Sequence, residues 1–216
     1  MSRLIDLSHT IEHGMRTYKG LPPPAISDHL SRESSRVHYA EGTEFQIGRI
    51  EMVANTGTYI DSPFHRYPNA PDISEFALEA IADLHCVVLR PLDQPRIDHF
   101  GFAIAKLKGC AVLFHTGWDE HWRTERYFTG HPYLTARVAQ QLVDAQAALV
   151  GIDSYNIDST EDKTRPVHSA LLRAGIPIVE HLCNLSSLPD EGARFFAVPV
   201  KVKGMGSFPV RAFAQF

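Results

Sequence analysis

Apolar residues along the chain follow two rhythms. Leu7 and Ile11, with Leu4 or Ile5 before them, alternate through residues 3–11 and predict a short strand. Residues 43–53 (TEFQIGRIEMV) also read as a strand, with Phe45 and Ile47 on one face and Ile50 and Met52 on the other. Gly48 sits where that parity changes, which predicts a bulge. Between them, GLPPPAI (20–26) is proline-rich and predicts a loop with neither helix nor central strand. From Asp72 to Leu84 the apolar positions 73, 76, 77, 80, 81 and 84 make a helical stripe, with Asp72 or Ser74 as N-cap.

Beyond residue 84 the rhythm alternates regularly. CVVLR (86–90) and CAVLFHT (110–116) predict strands, Thr135 to Ala147 a helix, and ALVGID (148–153) a buried strand ending on an acid. Val167 to Ala174 predicts a second helix, stopped by Gly175. IPIVE (176–180) is another strand ending on an acid, and FFAVPVKV and PVRAFAQF close the chain as strands. A β-rich start followed by alternating helices and strands implies an α/β fold, a mixed sheet or barrel-like core with helices outside.

The 216 residues suit one large domain, or one domain with an appendage, and can bury a core without disulfides. The net charge of −4 gives no basic face for nucleic acid or an anionic membrane. Three scattered cysteines and no apolar N-terminal segment point to the cytoplasm, and no apolar run is long enough to cross a bilayer. Twelve histidines raise the prospect of metal or acid–base chemistry.

Chemistry concentrates in EMVANTGTYIDSPFHRY (51–67), where Asn55, Tyr59, Asp61 and His65 follow one another at a spacing metal sites use. Two readings compete: a turn with Asp61 capping a short helix that contains Pro63, or a metal held by Asp61 beside His65 as acid–base residue. Glu180 closes an apolar strand and therefore needs a cation, a donor or water. With Asp61 and His168 it would form an N/O set suited to Zn²⁺, Mn²⁺ or Mg²⁺. His9 and His13 read as structural, and Cys183 beside His181 as a buried thiol. His115 ends a strand and could line a pocket; Asp153 and Asp158 could hold their loop or face one. Phe64, Tyr67, Trp118 and Trp122 could line an aryl pocket or be core or interface.

NTGTYIDSPFH resembles the signature HxGTHxDxPxH of the cyclase-like metal-dependent hydrolases, which include bacterial kynurenine formamidase and isatin hydrolase. DLSHTIEHGMRTYKGLPPP, TGWDEHW…YFTGHPYLT, LVGIDSYNID…PVHSALLRAGIPIVEHLCNL and VPVKVKGMGSFPVRAFA resemble further segments of that family in order, so the likeness covers nearly the whole chain and implies a single domain over residues 1–216. The resemblance implies a swivelling β/β/α fold, a homo-oligomer (dimer or tetramer) and hydrolysis of small amides such as aryl formamides or lactams. It implies Asp61, His168 and Glu180 as metal ligands and His65 as the acid–base residue. Asn55 and Tyr59 stand where the family has its two leading ligand histidines, and a neutral carbonyl and a protonated phenol are poor ligands. Three readings remain open. In the first, one metal (Zn or Mn) is held by Asp61, His168 and Glu180 and acidifies the attacking water, while Asn55, Tyr59, Phe64 and Trp118 contact substrate. Catalysis could instead be metal-free, by His65, Glu180 and Tyr59. The third is a ligand-binding chain without turnover.

Overall fold

The computed structural model describes residues 2–92 and 95–216. The chain opens with β1 (Leu4–Asp6), then β2 (Ala25–Leu30), a single helical turn α1 (Arg32–Ser35) and β3 (Ile47–Glu51). β4 (Tyr59–Asp61), β5 (Leu84–Leu89), β6 (Arg96–Ile97), β7 (Ala111–Phe114) and β8 (Tyr133–Leu134) follow. The second half comprises α2 (Ala136–Asp144), β9 (Leu149–Ile152), α3 (Pro166–Arg173), β10 (Ile178–Glu180), β11 (Glu191–Phe196), β12 (Ser207–Pro209) and β13 (Phe213–Gln215). Nine strands form one mixed sheet in the order β1-β13-β11-β5-β7-β9-β10-β4-β12. β5, β7, β9 and β10 run parallel at its centre, and the antiparallel strands flank them. The expected α/β class with a mixed sheet is therefore present.

Side-chain alternation divides the core. Val87, Leu89, Val112, Phe114, Val150, Ile152 and Ile178 pack on the face covered by α2 and α3, through Val138, Leu142, Val167 and Leu171. Their sequence neighbours Cys86, Val88, Ala111, Leu113, Leu149 and Val179 pack on the opposite face with Leu7, Ile60 and Phe195. Both faces of the central strands are covered, so these strands are apolar almost throughout, as parallel sheets require.

Several sequence expectations need correction. Residues 72–84 do not form one helix. They make two 3₁₀ turns, Ile73–Glu75 and Leu78–Ala80, separated by extended backbone at Phe76 and Ala77. Asp72 does cap the first turn in a capping box with Glu75, but its other carboxylate oxygen accepts from the Gly204 amide, and the Ile73 amide donates to Met205. These tertiary bonds tie the segment to the 204–206 loop, and only Ile73, Ile81 and Leu84 of the stripe are buried. The strand expected over 43–53 shrinks to Ile47–Glu51 and is exposed throughout, because it pairs only with β2 in a separate two-stranded ribbon. Its irregularity lies on the partner strand, where His29 is the extra residue between Asp28 and Leu30, opposite Gly48 and Ile47. The strand over 3–11 ends at Asp6 apart from a bridge at Ser8, and the one starting at Phe195 stops at Phe196. β6 and β8 pair with each other in two-residue segments too short to produce a rhythm. No helix among the described residues is long and apolar enough to cross a membrane.

Candidate active site

Three adjacent strands set out one polar cluster. In β4, Tyr59 and Asp61 point to the same face because strand side chains alternate. Register places Glu180 of β10 opposite Tyr59, and Ser207 of β12 opposite Asp61. All four side chains are buried. Glu180 is the last residue of a parallel strand, so the cluster lies at the carboxyl end of the sheet's parallel part, where open α/β sheets bind ligands.

His168 enters from α3. Its Nε2 lies 3.6 Å from Asp61 Oδ2 and 3.8 Å from Glu180 Oε1. Its position is fixed by Asp158, whose carboxylate accepts from the Val167 and His168 amides at 2.8 and 3.0 Å and from His168 Nδ1 at 2.6 Å. Asp158 thus caps α3 from outside the helix and orients the imidazole, with Nδ1 protonated and Nε2 turned toward the two carboxylates.

His65 follows on the 3₁₀ turn Pro63–His65 and is 38 % exposed. Its Nδ1 lies 2.9 Å from Ser207 Oγ, which also hydrogen-bonds Asp61 Oδ1 and accepts from Asn55 Nδ2 at 3.4 Å. An ionised Asp61 only accepts, so the Ser207 proton goes to it and His65 Nδ1 must be the donor. In the neutral ring this arrangement makes Nε2 of His65 the acceptor nitrogen. The close approach needs Gly206: a Cβ there would lie 2.6 Å from the His65 Cα.

Glu180 is held by many donors. Its Oε1 accepts from the Ile157 amide at 2.6 Å, and its Oε2 from the Tyr59 hydroxyl, from Tyr18 at 3.3 Å and from Asn156 at 3.5 Å. Burial and the adjacent Glu180 charge raise the Tyr59 phenol well above its ordinary value, so it stays protonated. Burial likewise raises Glu180, opposed by His168 and the Tyr59 hydrogen bond. For His168, burial favours the neutral ring, but the Glu180, Asp158 and Asp61 carboxylates override it and push the group up to about 10.

The donor set fits a divalent cation. Ligand atoms of Asp61, His168 and Glu180 all lie within 4.8 Å of one another. Two ligands about 2 Å from a shared ion stand roughly 3–4 Å apart, which matches the His168 distances. Asp61 Oδ2 is buried and has no hydrogen-bond partner. Three buried carboxylates around one imidazole are an excess of negative charge that a cation would balance.

A cavity of about 290 Å³ opens over this cluster. Asn55, Tyr59, His65, His168 and Glu180 line it, with Tyr18, Leu21, Arg66, Asn156, Lys163, Thr164 and Arg165. Phe64 and Trp118 do not line it; the Trp118 indole donates to the Tyr127 carbonyl at 3.0 Å instead. Tyr67 bonds the Ser169 carbonyl on α3, and Trp122 stacks on His9. Asp153 binds the Thr116 and Gly117 amides and so holds its loop, and His115 contacts Arg90. Cys183 is a buried free thiol.

The family profile "Cyclase" ("Putative cyclase") matches residues 5–159, most of the chain. The chain belongs to the Cyclase family. It is 26% identical over 215 residues to a kynurenine formamidase of Bacillus cereus, covering 98% of this chain and 96% of that protein. A kynurenine formamidase of Bacillus cytotoxicus is likewise 26% identical over 217 residues, with the same coverage. Among solved structures, a potential metal-dependent hydrolase with cyclase activity superposes with TM-score 0.79 at 24% identity, covering 100% of this chain and 98% of that one. Isatin hydrolase A from Labrenzia aggregata, bound to benzyl benzoate, gives TM-score 0.81 at 22% identity, covering 99% and 93%. The cyclase-family fold is thus shared along the whole chain.

Ser207, Tyr18, Asn156 and the cations Arg66, Lys163 and Arg165 were not singled out from the sequence. Ser207 had a signal of a kind: it sits in GMGSF, where Gly206 marks a close backbone approach. For Tyr18 and Asn156, neither spacing nor residue type points to Glu180.

Proposed function

We propose that this chain hydrolyses a C–N bond of a small amide, an aryl formamide or a cyclic amide, with Asp61, His168 and Glu180 holding one divalent metal (Zn or Mn) and His65 acting as acid–base residue. The observation that carries this reading is the buried, unpartnered Asp61 Oδ2 facing His168 Nε2, with His65 a hydroxyl away from the same carboxylate. The names of the kynurenine formamidase and isatin hydrolase relatives support a small amide as substrate. A metal bound there supplies Lewis acidity, polarising a carbonyl and acidifying water.

The chain's own residues do the rest. His65 Nε2 takes a proton from the attacking water and returns it to the leaving nitrogen. Ser207 and Asp61 keep that ring in the right tautomer and stabilise it while it is charged. Asn55 has an amide N–H beyond the one given to Ser207, and donates it to the substrate carbonyl oxygen as negative charge builds. Tyr59 acts through Glu180, which it holds in place. The reading includes a cytoplasmic homo-oligomer: Cys86, Cys110 and Cys183 are all free and buried, which suits a reducing compartment.

Two measurements test this. Protein purified without chelator should contain about one equivalent of divalent metal, and Asp61→Asn should lose most of it. On an aryl formamide and a lactam, His65→Ala should lower kcat by about 100-fold or more. Metal content below a tenth of an equivalent, or equal rates for wild type and His65→Ala, would sink the proposal.

A further inference from the structure

The floor of the cavity is acidic, but its mouth is not. Arg66, Lys163 and Arg165 line it, while every aromatic group in the lining is a tyrosine or histidine. The three cations come from two places: Arg66 directly follows His65, and Lys163 and Arg165 lie in the segment that leads into α3. Among the described residues, none of the three has a carboxylate within ion-pair distance; Arg3, Arg32, Arg126, Arg137 and Arg173 are unpaired as well, but none of those lines the cavity. The imbalance runs against the whole chain, which carries net charge −4.

Arg165 is held in place. Its backbone is left-handed (φ 50°, ψ 60°), a strained conformation for a residue other than glycine. Its Nη1 donates to Asn156 Oδ1 at 2.6 Å, and Asn156 Nδ2 donates to the Tyr18 hydroxyl at 2.6 Å. That bond fixes one corner of the guanidinium and leaves other N–H groups for a ligand. Asn156 also reaches Glu180, so the mouth cation and the cavity floor share a support. Arg66 makes a 3.5 Å contact to Ser169 Oγ and lies 5.6 Å from the centre of the Tyr67 ring, and the Lys163 side chain lies at the surface.

We infer that the substrate is an anion: a carboxylate on the same small molecule as the scissile amide is bound at the cavity mouth by Arg165, assisted by Lys163 and Arg66. This inference rests on the amide-hydrolase reading for what happens at the floor. The cavity of about 290 Å³ holds roughly ten water-sized groups, enough for an acyl-amide and a carboxylate on one short or single-ring frame. A guanidinium with free N–H groups favours a planar carboxylate through paired hydrogen bonds. Neutral amides gain nothing from the three cations and should be turned over with a lower kcat/KM than amides that carry a carboxylate.

The test uses a matched pair, N-formylanthranilate and its methyl ester, with wild type, Arg165→Met and Lys163→Met. A charge-assisted hydrogen bond is worth about 1.5–3 kcal/mol, so wild type should prefer the acid in kcat/KM by about ten- to a hundredfold, mostly through KM. Arg165→Met should bring the acid-to-ester ratio close to one, and Lys163→Met, on an exposed segment where folding is not at stake, should lower it in part. A second readout needs no turnover: anthranilate should raise the melting temperature of wild type more than methyl anthranilate does, and the difference should shrink in both variants. Acid and ester handled alike by wild type, or ratios unchanged in both variants, overturn the inference. If no amide is turned over but anthranilate still stabilises wild type selectively, the anion site stands and the hydrolase reading falls.

Discussion

Tyr59 shows how one side chain redefines a site. It stands where the resemblance implies a ligand histidine, yet burial and the Glu180 charge keep its proton on. It therefore works as a hydrogen-bond donor to a buried carboxylate. Tyr59→Phe removes that donor and keeps the ring volume, leaving Glu180 Oε2 with the longer contacts from Tyr18 and Asn156. Urea unfolding should show a loss of about 1–3 kcal/mol, the cost of under-satisfying a buried carboxylate. An unchanged midpoint would mean that the phenol does not carry Glu180. Much of this residue scale was legible: Asp61, His168 and Glu180 were proposed as one set from residue chemistry and family spacing, and the structure brings them together. Ser207 was not legible, because its place beside Asp61 comes from the register of β12 on β4 across 146 residues of sequence. Phe64 and Trp118 lie close to the site segments in sequence, which says nothing about which face of a loop meets a cavity.

At the scale of elements, rhythm succeeded where packing is two-sided and failed where tertiary hydrogen bonds override it. The central strands and both long helices came through because buried parallel strands are continuously apolar and α2 and α3 each have one apolar face. Residues 72–84 carried an equally good stripe, but Asp72 and Ile73 bond to the 204–206 loop and the chain extends at Phe76. α3 is the element on which the site depends. Its N-terminus begins at a left-handed Arg165 with no side-chain cap of its own, and Asp158 supplies the cap from eight residues before Pro166. Asp158→Ala should therefore act twice. Loss of the cap should cost about 1–2 kcal/mol in thermal or urea unfolding. Loss of the His168 Nδ1 partner should weaken metal affinity by about 10–100-fold, measured by competition with a chelating dye. A destabilised variant with unchanged metal affinity would reduce Asp158 to a capping role alone.

At the scale of the whole molecule, the β2–β3 ribbon stands out. An isolated two-stranded ribbon is marginally stable in water, and this one forms a sheet of its own, not hydrogen-bonded into the nine-stranded sheet. Every residue of β3 is exposed, and the cross-strand pair Ile26 and Ile50 is 41% and 49% exposed on one face, with Phe45 at 55% just before the strand. Two facing isoleucines at the surface are what a cover would bury, and the homo-oligomer proposed above predicts a second copy of the chain over this face. Multi-angle light scattering should give a dimer or tetramer for the wild type. Replacing both isoleucines with aspartate should shift it toward monomer while leaving the core's far-ultraviolet circular dichroism in place. On a true monomer the same double substitution would set two like charges opposite each other on β2 and β3 and weaken that pair by up to about 1 kcal/mol, without changing the mass in solution. A monomeric wild type, or an oligomer indifferent to both aspartates, would show that this face is not the contact and that the ribbon owes its order to the single chain.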